Sequence, residues 1–444
     1  MDILALMPTF GGFLGTVVAF VVALSIIVAI HEYGHYIVGR WCGIHAEVFS
    51  LGFGPVIYSR VDTRGTKWQL ALLPFGGYVK FLGDSDAASG KDGEAIRELS
   101  DAERKRTMHG ADLWRRAAAV AAGPIFNFIL SILVFGAIFF FSGTATEEPV
   151  IGEVKPHPVD VSAFQPGDRI LSINGVETPD LTTFYQVARA MTPAETVDYT
   201  VERDGVRESF EGVYPFPPIV DVVQPRSAAI DSGMRVGDVI VSIDGQPVYA
   251  MTQVQDIVRE GAGATMQLSI WRDGDIYDVT LTPRQRDLPT DGGFEQRYLI
   301  GFSGGLFFEP TRETLGPFSA LWGGVVQTWA IAMNSLSGLW HMITGAISSC
   351  NMQGPIGIAQ TSGDMASQGA REFVWFVAVL STAVGLLNLF PIPVLDGGHL
   401  VFHAYEAVRG RPPSDRALNY LMTAGLALLL SLMVFALTND LFCT

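Results

Sequence analysis

Five consecutive residues read as a metal-binding and proton-transfer unit: His31-Glu32-Tyr33-Gly34-His35. On a helix, positions i and i+4 share a face, so both imidazoles can bind one ion. The glutamate beside them can then act as general base toward a water on that ion. Catalytic zinc takes three protein ligands and keeps a fourth position open, so a third ligand must come from elsewhere. Asp396 is the foremost candidate, in Asn388-Leu389-Phe390-Pro391-Ile392-Pro393-Val394-Leu395-Asp396-Gly397-Gly398. His399 and His403, also four apart, and Cys42 compete for that role. His399 can instead orient a carboxylate from outside the ligand set. One zinc ion (Zn2+) is the expected cofactor.

These residues sit in an apolar chain. Of 444 residues, 49% are hydrophobic and 17% charged, against about 25% charged in ordinary soluble domains. Four uncharged stretches are long enough to cross a bilayer: Phe13–Ile30, Ala117–Phe141, Phe373–Leu395 and Ala417–Thr438. The first lacks the basic start and the cleavage site of a signal peptide, so it reads as a retained span. Loop 39–116 carries 12 Lys and Arg, and 399–416 adds Arg409, Arg411 and Arg416. The positive-inside rule places both loops in the cytoplasm, and both termini and the segment 142–372 outside. The His pair and Asp396 then share one depth, near the inner face. Thr314–Gly363 has no Asp, Glu, Lys or Arg, yet it is interrupted by Gln327, Asn334 and His341 and reads as interfacial helix. A net charge of −16 excludes a nucleic-acid partner held through phosphates. Cys42, Cys350 and Cys443 have no close spacing, so no disulfide framework is expected.

The outer segment repeats itself. Gly167-Asp168-Arg169-Ile170-Leu171-Ser172-Ile173-Asn174-Gly175 aligns with Gly237-Asp238-Val239-Ile240-Val241-Ser242-Ile243-Asp244-Gly245. Each copy continues into an amphipathic helix (Thr182–Met191, Thr252–Glu260), an alternating strand and an Arg-Asp-Gly turn (203–205, 272–274). The pattern resembles the PDZ domain, twice. PDZ domains take extended peptide ends by adding a strand to a sheet edge, so a peptide ligand is implied, with rigid spacing or size filtering as the rival role. The first copy departs from the second where His157-Pro158-Val159 replaces Ser227-Ala228-Ala229.

His-Glu-x-x-His in a first span, with Asn-x-x-Pro-x-Pro-x-Leu-Asp-Gly in a late one, resembles the site-2 protease family of intramembrane zinc metalloproteases. Tandem PDZ domains between the second and third spans resemble its bacterial branch, the regulator-of-sigma-E proteases. By that resemblance His31, His35 and Asp396 bind zinc and Glu32 is the base. The substrate is a single-span membrane protein, an anti-sigma factor, cut in its transmembrane segment in an envelope stress response. The protein is then multi-pass in the bacterial inner membrane. Leu72–Lys80, after a strand at Lys67–Leu73, resembles the family's membrane-dipping β-hairpin, in which Gly76, Gly77 and Tyr78 would pair with substrate. Asn388, with backbone freed by Pro391 and Pro393, would hold the substrate's other edge. Gly123-Pro124-Ile125-Phe126-Asn127 resembles the family's Gly-x-x-x-Asn element, with Gly123 and Asn127 serving helix packing or ligand orientation.

The expected fold is a polytopic α-helical membrane protein of four transmembrane helices, with a membrane-associated β-hairpin and two extracytoplasmic PDZ-like α/β domains. Its parts are a first span (1–38), a cytoplasmic basic loop with the hairpin (39–116), a second span (117–141) and PDZ-like domains at 150–214 and 215–290. A linker with interfacial helices (291–372), a third span (373–398), a cytoplasmic loop (399–416) and a fourth span (417–438) follow. A non-catalytic PDZ scaffold and a metal or proton transporter are the competing functions; the scaffold leaves the His pair and Asp396 unexplained, and four spans without an inverted repeat argue against the transporter.

Overall fold

The uncharged runs form long helices in the computed structural model, which describes residues 12–84, 99–290 and 293–442. Residues 1–11 and Cys443, used in the topology and cysteine arguments, lie outside the described residues. Four helices are long and apolar enough to cross a membrane: α1 (Phe13–Trp41), α2 (Leu113–Ser142), α7 (Ala370–Asn388) and α9 (Asp415–Phe442). The third is shorter than the apolar run suggested. It stops at Asn388, residues 389–395 turn irregularly, and a separate helix α8 (Asp396–Arg409) begins at the candidate ligand. Pro391 and Pro393 lack backbone N–H groups and cannot continue the helix, so the acid starts a new element.

The chain divides into two compact units. The first comprises the chain up to Ala137, Phe318–Trp340 and the chain from Met352 onward. Its spans meet through small residues. A Cβ on Gly34 would lie 2.5 Å from the Ala122 carbonyl oxygen, and one on Gly385 3.1 Å from the Pro124 oxygen, so α1 and α7 both approach the α2 backbone closely. Ser131 Oγ donates to the carbonyls of Asn127 (3.0 Å) and Ala378 (2.8 Å), and Ser381 Oγ donates to Asn127 O (2.9 Å), tying α7 to α2 by buried hydrogen bonds. Helix α5 (Pro317–Ile343) presents Ala320, Gly324, Thr328 and Ala332 as its buried stripe. Gly324 packs on Ile132 and Gly136, and Leu321 on Gly136, so within this unit α5 runs antiparallel along α2. Helix α6 (Pro355–Gln368) lies on α1, with Gly363 against Thr16.

A long hairpin, β1 (Ala46–Val61) and β2 (Lys67–Phe81), also belongs to this unit. Its turn is not at the Gly76-Gly77 pair. Asp62 Oδ1 accepts from the N–H groups of Arg64 (2.8 Å) and Thr66 (3.0 Å) and makes the turn there. Gly76 and Gly77 instead mark a bend where pairing jumps from Phe53↔Leu73 to Leu51↔Gly77, folding the ribbon over so that Val48 faces both Lys67 and Lys80. Gly76, at φ 144°, allows that bend.

The second unit spans Ile138–Pro317 and His341–Asn351. It contains two four-stranded antiparallel sheets of the same strand order, one of Arg169–Ile173, Val176–Glu177, Thr196–Arg203 and Val206–Val213, the other of Val239–Ile243, Gln246–Pro247, Met266–Arg272 and Asp275–Leu281. A ten-residue helix accompanies each: α3 (Leu181–Ala190) and α4 (Met251–Glu260). The two repeated motifs turn out to bond to each other. Arg203 of the Arg-Asp-Gly turn grips Asp168 of the Gly-Asp motif through Nε and Nη2, both at 2.7 Å. Arg272 grips Asp238 in the same way, at 2.6 and 2.7 Å. Asp168 and Asp238 are fully buried, so each pair is a two-pronged anchor at the end of two neighbouring strands that are far apart in sequence. Arg272→Met leaves a buried carboxylate without its partner, and a loss of about 3–5 kcal/mol is expected. Hydrogen exchange across 239–281 in the full-length protein measures it; unchanged protection there would refute the anchor.

Downstream chain completes both repeats. Phe302–Gly304 pairs with Val220–Val223, and Phe308–Pro310 pairs with Ile151–Val154, so part of the segment expected to be linker is strand. The divergence between copies is also structural. Ser227 accepts from the Ile230 N–H and starts a one-turn helix, Ala228–Asp231. At His157-Pro158 the first copy has no such turn of helix.

Candidate metal and catalytic site

Helix α1 carries His31 and His35 on one face, one turn apart. Their Nε2 atoms are 3.1 Å apart. Asp396, the first residue of α8, sends Oδ2 to 3.2 Å from His31 Nε2 and 3.5 Å from His35 Nε2. Among the described residues this is the one His/Cys/Asp/Glu group with donor atoms close enough to share an ion. The spacing fits zinc: donors about 2.05 Å from a tetrahedral centre are separated by about 3.3 Å. Asp396 Oδ2 is also buried without a hydrogen-bond partner, an arrangement that is costly unless a cation completes it. Of the competitors, His399 and His403 lie further along α8 and line the adjoining cavity without joining the group. Cys42 lies just past the end of α1, where its carbonyl accepts from Arg115 Nη1 (3.4 Å).

Helix α2 shapes the imidazole pair. The Ala119 carbonyl accepts from His35 Nδ1 at 2.9 Å, which leaves the Nε2 lone pair directed at the shared point. The Asn127 amide lies 3.2 Å from His31 Nδ1. Gly123 leaves the space the rings fill. A Cβ there would come within 2.5 Å of His35 Cε1 and 2.8 Å of His31 Cε1, and closer still to His35 Nε2. On the other side, Gly397 and Gly398 let the start of α8 lie directly on the 389–393 turn. Side chains there would collide with the Leu389, Phe390 and Ile392 carbonyls. Sequence reading singled out Asp396 but not the two glycines that let it reach the site.

Glu32 lies beside this group without belonging to it. The modest space at Gly77 (a Cβ would be 3.3 Å from Glu32 Cγ) lets β2 pass close to it. The group opens on a cavity of about 820 Å³ lined by Glu32, Gly77, Tyr78 and Asn388, among others. Gly76, Pro391 and Pro393 are not among its lining residues. Pro393 packs on Gly425 of α9, and Gly76 is against Phe53. Asn388 Nδ2 donates to Val384 O (3.1 Å), leaving its carbonyl oxygen as the end that can accept from a guest.

The arrangement pairs a zinc-type donor triangle with an adjacent carboxylate, beside the extended edge of a β-ribbon. That is equipment for water-dependent cleavage of a polypeptide. Comparison with known proteins agrees. The family model described as peptidase family M50 matches residues 19–432. A protein of Escherichia coli strain K12 named regulator of sigma-E protease RseP is 34% identical over 464 residues, covering 96% of this chain and 98% of its own. Its counterpart of the same name in Salmonella typhimurium is 34% identical, covering 95% and 97%. A protein of Agrobacterium fabrum carrying the name zinc metalloprotease is 35% identical, covering 97% and 96%.

Proposed function

The chain belongs to peptidase family M50, and from that premise we propose how its residues carry out the family's chemistry. It is a zinc metalloendopeptidase of the site-2 type, with four candidate membrane spans. His31, His35 and Asp396 are the zinc ligands and Glu32 is the general base. The convergence of Asp396 on the His pair, from 361 or more residues further along the chain, carries this reading.

Zinc held by His31, His35 and Asp396 would supply Lewis acidity toward a scissile carbonyl and make the attacking water acidic near neutral pH. Glu32 takes that water's proton and passes it to the leaving amine. His31 binds through Nε2 only in the tautomer protonated at Nδ1, which needs an acceptor. Asn127 provides one through Oδ1 once its amide turns end for end, giving that buried oxygen the partner it lacks.

The substrate must present extended backbone, since a helix hides its carbonyls. The β2 edge around Gly77 and Tyr78 and the Asn388 carbonyl are the surfaces that would hold it. The substrate is a single-span membrane protein cut within or near its transmembrane segment, and an anti-sigma factor fits the name of the Escherichia coli relative. The basic loops place the cut near the cytoplasmic face of the bacterial inner membrane, with both termini and the two repeats outside.

The repeats are PDZ domains. In the second, Phe302–Gly304 pairs through one edge with Val220–Val223, and the Gly304 face lies against the Met251 side chain at the start of α4. An extended peptide end would add there as a further strand.

Zinc removal tests the whole reading. Chelator-treated protein should lose cleavage of a tagged single-span substrate in detergent, and stoichiometric zinc should restore it. Cleavage that survives complete stripping would overturn the assignment.

A further inference from the structure

Helix α8 brings Asp396 to the site, yet little of α8 is held down. Gly397 and Gly398, in its first turn, are its only buried residues. Val401, Tyr405 and Val408 are exposed. Asp396, His399, His403 and Glu406 fall at i, i+3, i+7 and i+10, one face of the helix, and all four line the cavity. At the far end of that face Glu406 meets Arg116 of α2. Arg116 Nη1 donates to Oε2 (3.1 Å), Nη2 to Oε1 (2.7 Å), and Nε to the Ala111 carbonyl (3.0 Å). Both side chains are largely buried, at 15% and 17% exposure. A planar fork engaged on both prongs and anchored at its base fixes direction as well as distance.

The lever is long. Glu406 lies about 15 Å along the axis from Asp396. A tilt of about 5° about the Asp396 end would therefore swing Glu406 by more than 1 Å, and the reverse holds for Asp396 if the far end is loose. Zinc sites tolerate roughly 0.2 Å in ligand distance. On α2, Arg116, Ala119, Gly123 and Asn127 follow at i, i+3, i+7 and i+11, again one face. Ala119 holds His35, Asn127 reaches His31, and Gly123 makes room for both rings.

We propose that Arg116, through its two-pronged ion pair with Glu406, is the positioning residue for Asp396, so that a single face of α2 orients all three zinc ligands. This rests on Asp396 being the third ligand. Neither residue touches the donor triangle; the pair acts through the rigidity of α8.

The test uses the full-length protein in detergent and three readouts: zinc affinity by competition with a chelator, kcat and KM on a single-span substrate, and melting temperature. The variants are Arg116→Met, Glu406→Gln, the exchange Arg116→Glu with Glu406→Arg, and Asp396→Ala as reference. Each single variant should lower zinc affinity about 10–100-fold, the range for residues that orient metal ligands. Each should also lower kcat with KM little changed, and excess zinc should recover much of that kcat. The exchange should return zinc affinity to within about threefold of the parent, as expected when the pair, and not either residue alone, does the positioning. Zinc affinity unchanged in both single variants overturns the proposal. So does an exchange no better than the singles, or a fall in melting temperature of Glu406→Gln that accounts for all its zinc loss. If Asp396→Ala also keeps parental zinc affinity, the ligand assignment itself has failed; if Asp396→Ala alone loses zinc, only the clamp has failed.

Discussion

Glu32→Gln is expected to bind zinc as the parent does and to cleave a tagged single-span substrate about 10²–10⁴-fold more slowly, the range contributed by a positioned general base. The substitution keeps side-chain shape. It therefore fits the same space beside Gly77 of β2. The ligand triangle is also untouched, because His31, His35 and Asp396 close on one another without Glu32. What disappears is the ability to take a proton from water and deliver it to the leaving nitrogen. Metal analysis and single-turnover cleavage on the same preparation separate these effects. Zinc retained with cleavage lost is the expected pair of results. Undiminished cleavage refutes Glu32 as the base, whereas zinc lost with cleavage would make Glu32 a support for the ligands.

How far the sequence revealed this site depended on how local each signal was. The His pair and its glutamate occupy one and a half helical turns, so spacing alone put them on one face. The candidate spans were legible because a run of some twenty residues without charge suits a bilayer and little else. The Gly-Asp and Arg-Asp-Gly motifs were legible as repeats, but not as partners. Asp168 and Arg203 are 35 residues apart, and nothing in a linear pattern states that one binds the other. Arg116 and Glu406, 290 residues apart, gave no signal at all. Where prolines interrupt a run, hydropathy overshoots: it continues to Leu395, but backbone hydrogen bonding stops the helix at Asn388. The hairpin turn was not legible for a related reason. Gly76-Gly77 looks like turn chemistry, while the turn itself is made by Asp62, whose side chain substitutes for backbone partners. Glycines proved the least legible class, because their role is the neighbour they admit, and that neighbour is known only once the helices are packed.

Gly123→Ala makes that role measurable, and opposite signs distinguish it from simple packing. Alanine in a helix interior is favoured over glycine by about 0.5–1 kcal/mol, so α2 itself should gain. The added methyl meets the His35 and His31 rings rather than rigid backbone. Side chains can turn away, so the fold is expected to survive while the imidazoles leave their shared point. Overpacking of this kind costs about 1–3 kcal/mol where neighbours cannot yield, and here the yielding itself dismantles the donor triangle. Zinc affinity should therefore fall about 100-fold or more, with cleavage lost in step. The zinc-free protein should melt no lower than the zinc-free parent. Gly34→Ala provides the contrast. Its Cβ would lie 2.5 Å from the backbone oxygen of Ala122, which cannot rotate aside, so that variant should lose stability with or without zinc. Parental zinc affinity in Gly123→Ala would show that the rings have another place to stand, and that the geometry around the ion is set by something other than the face of α2.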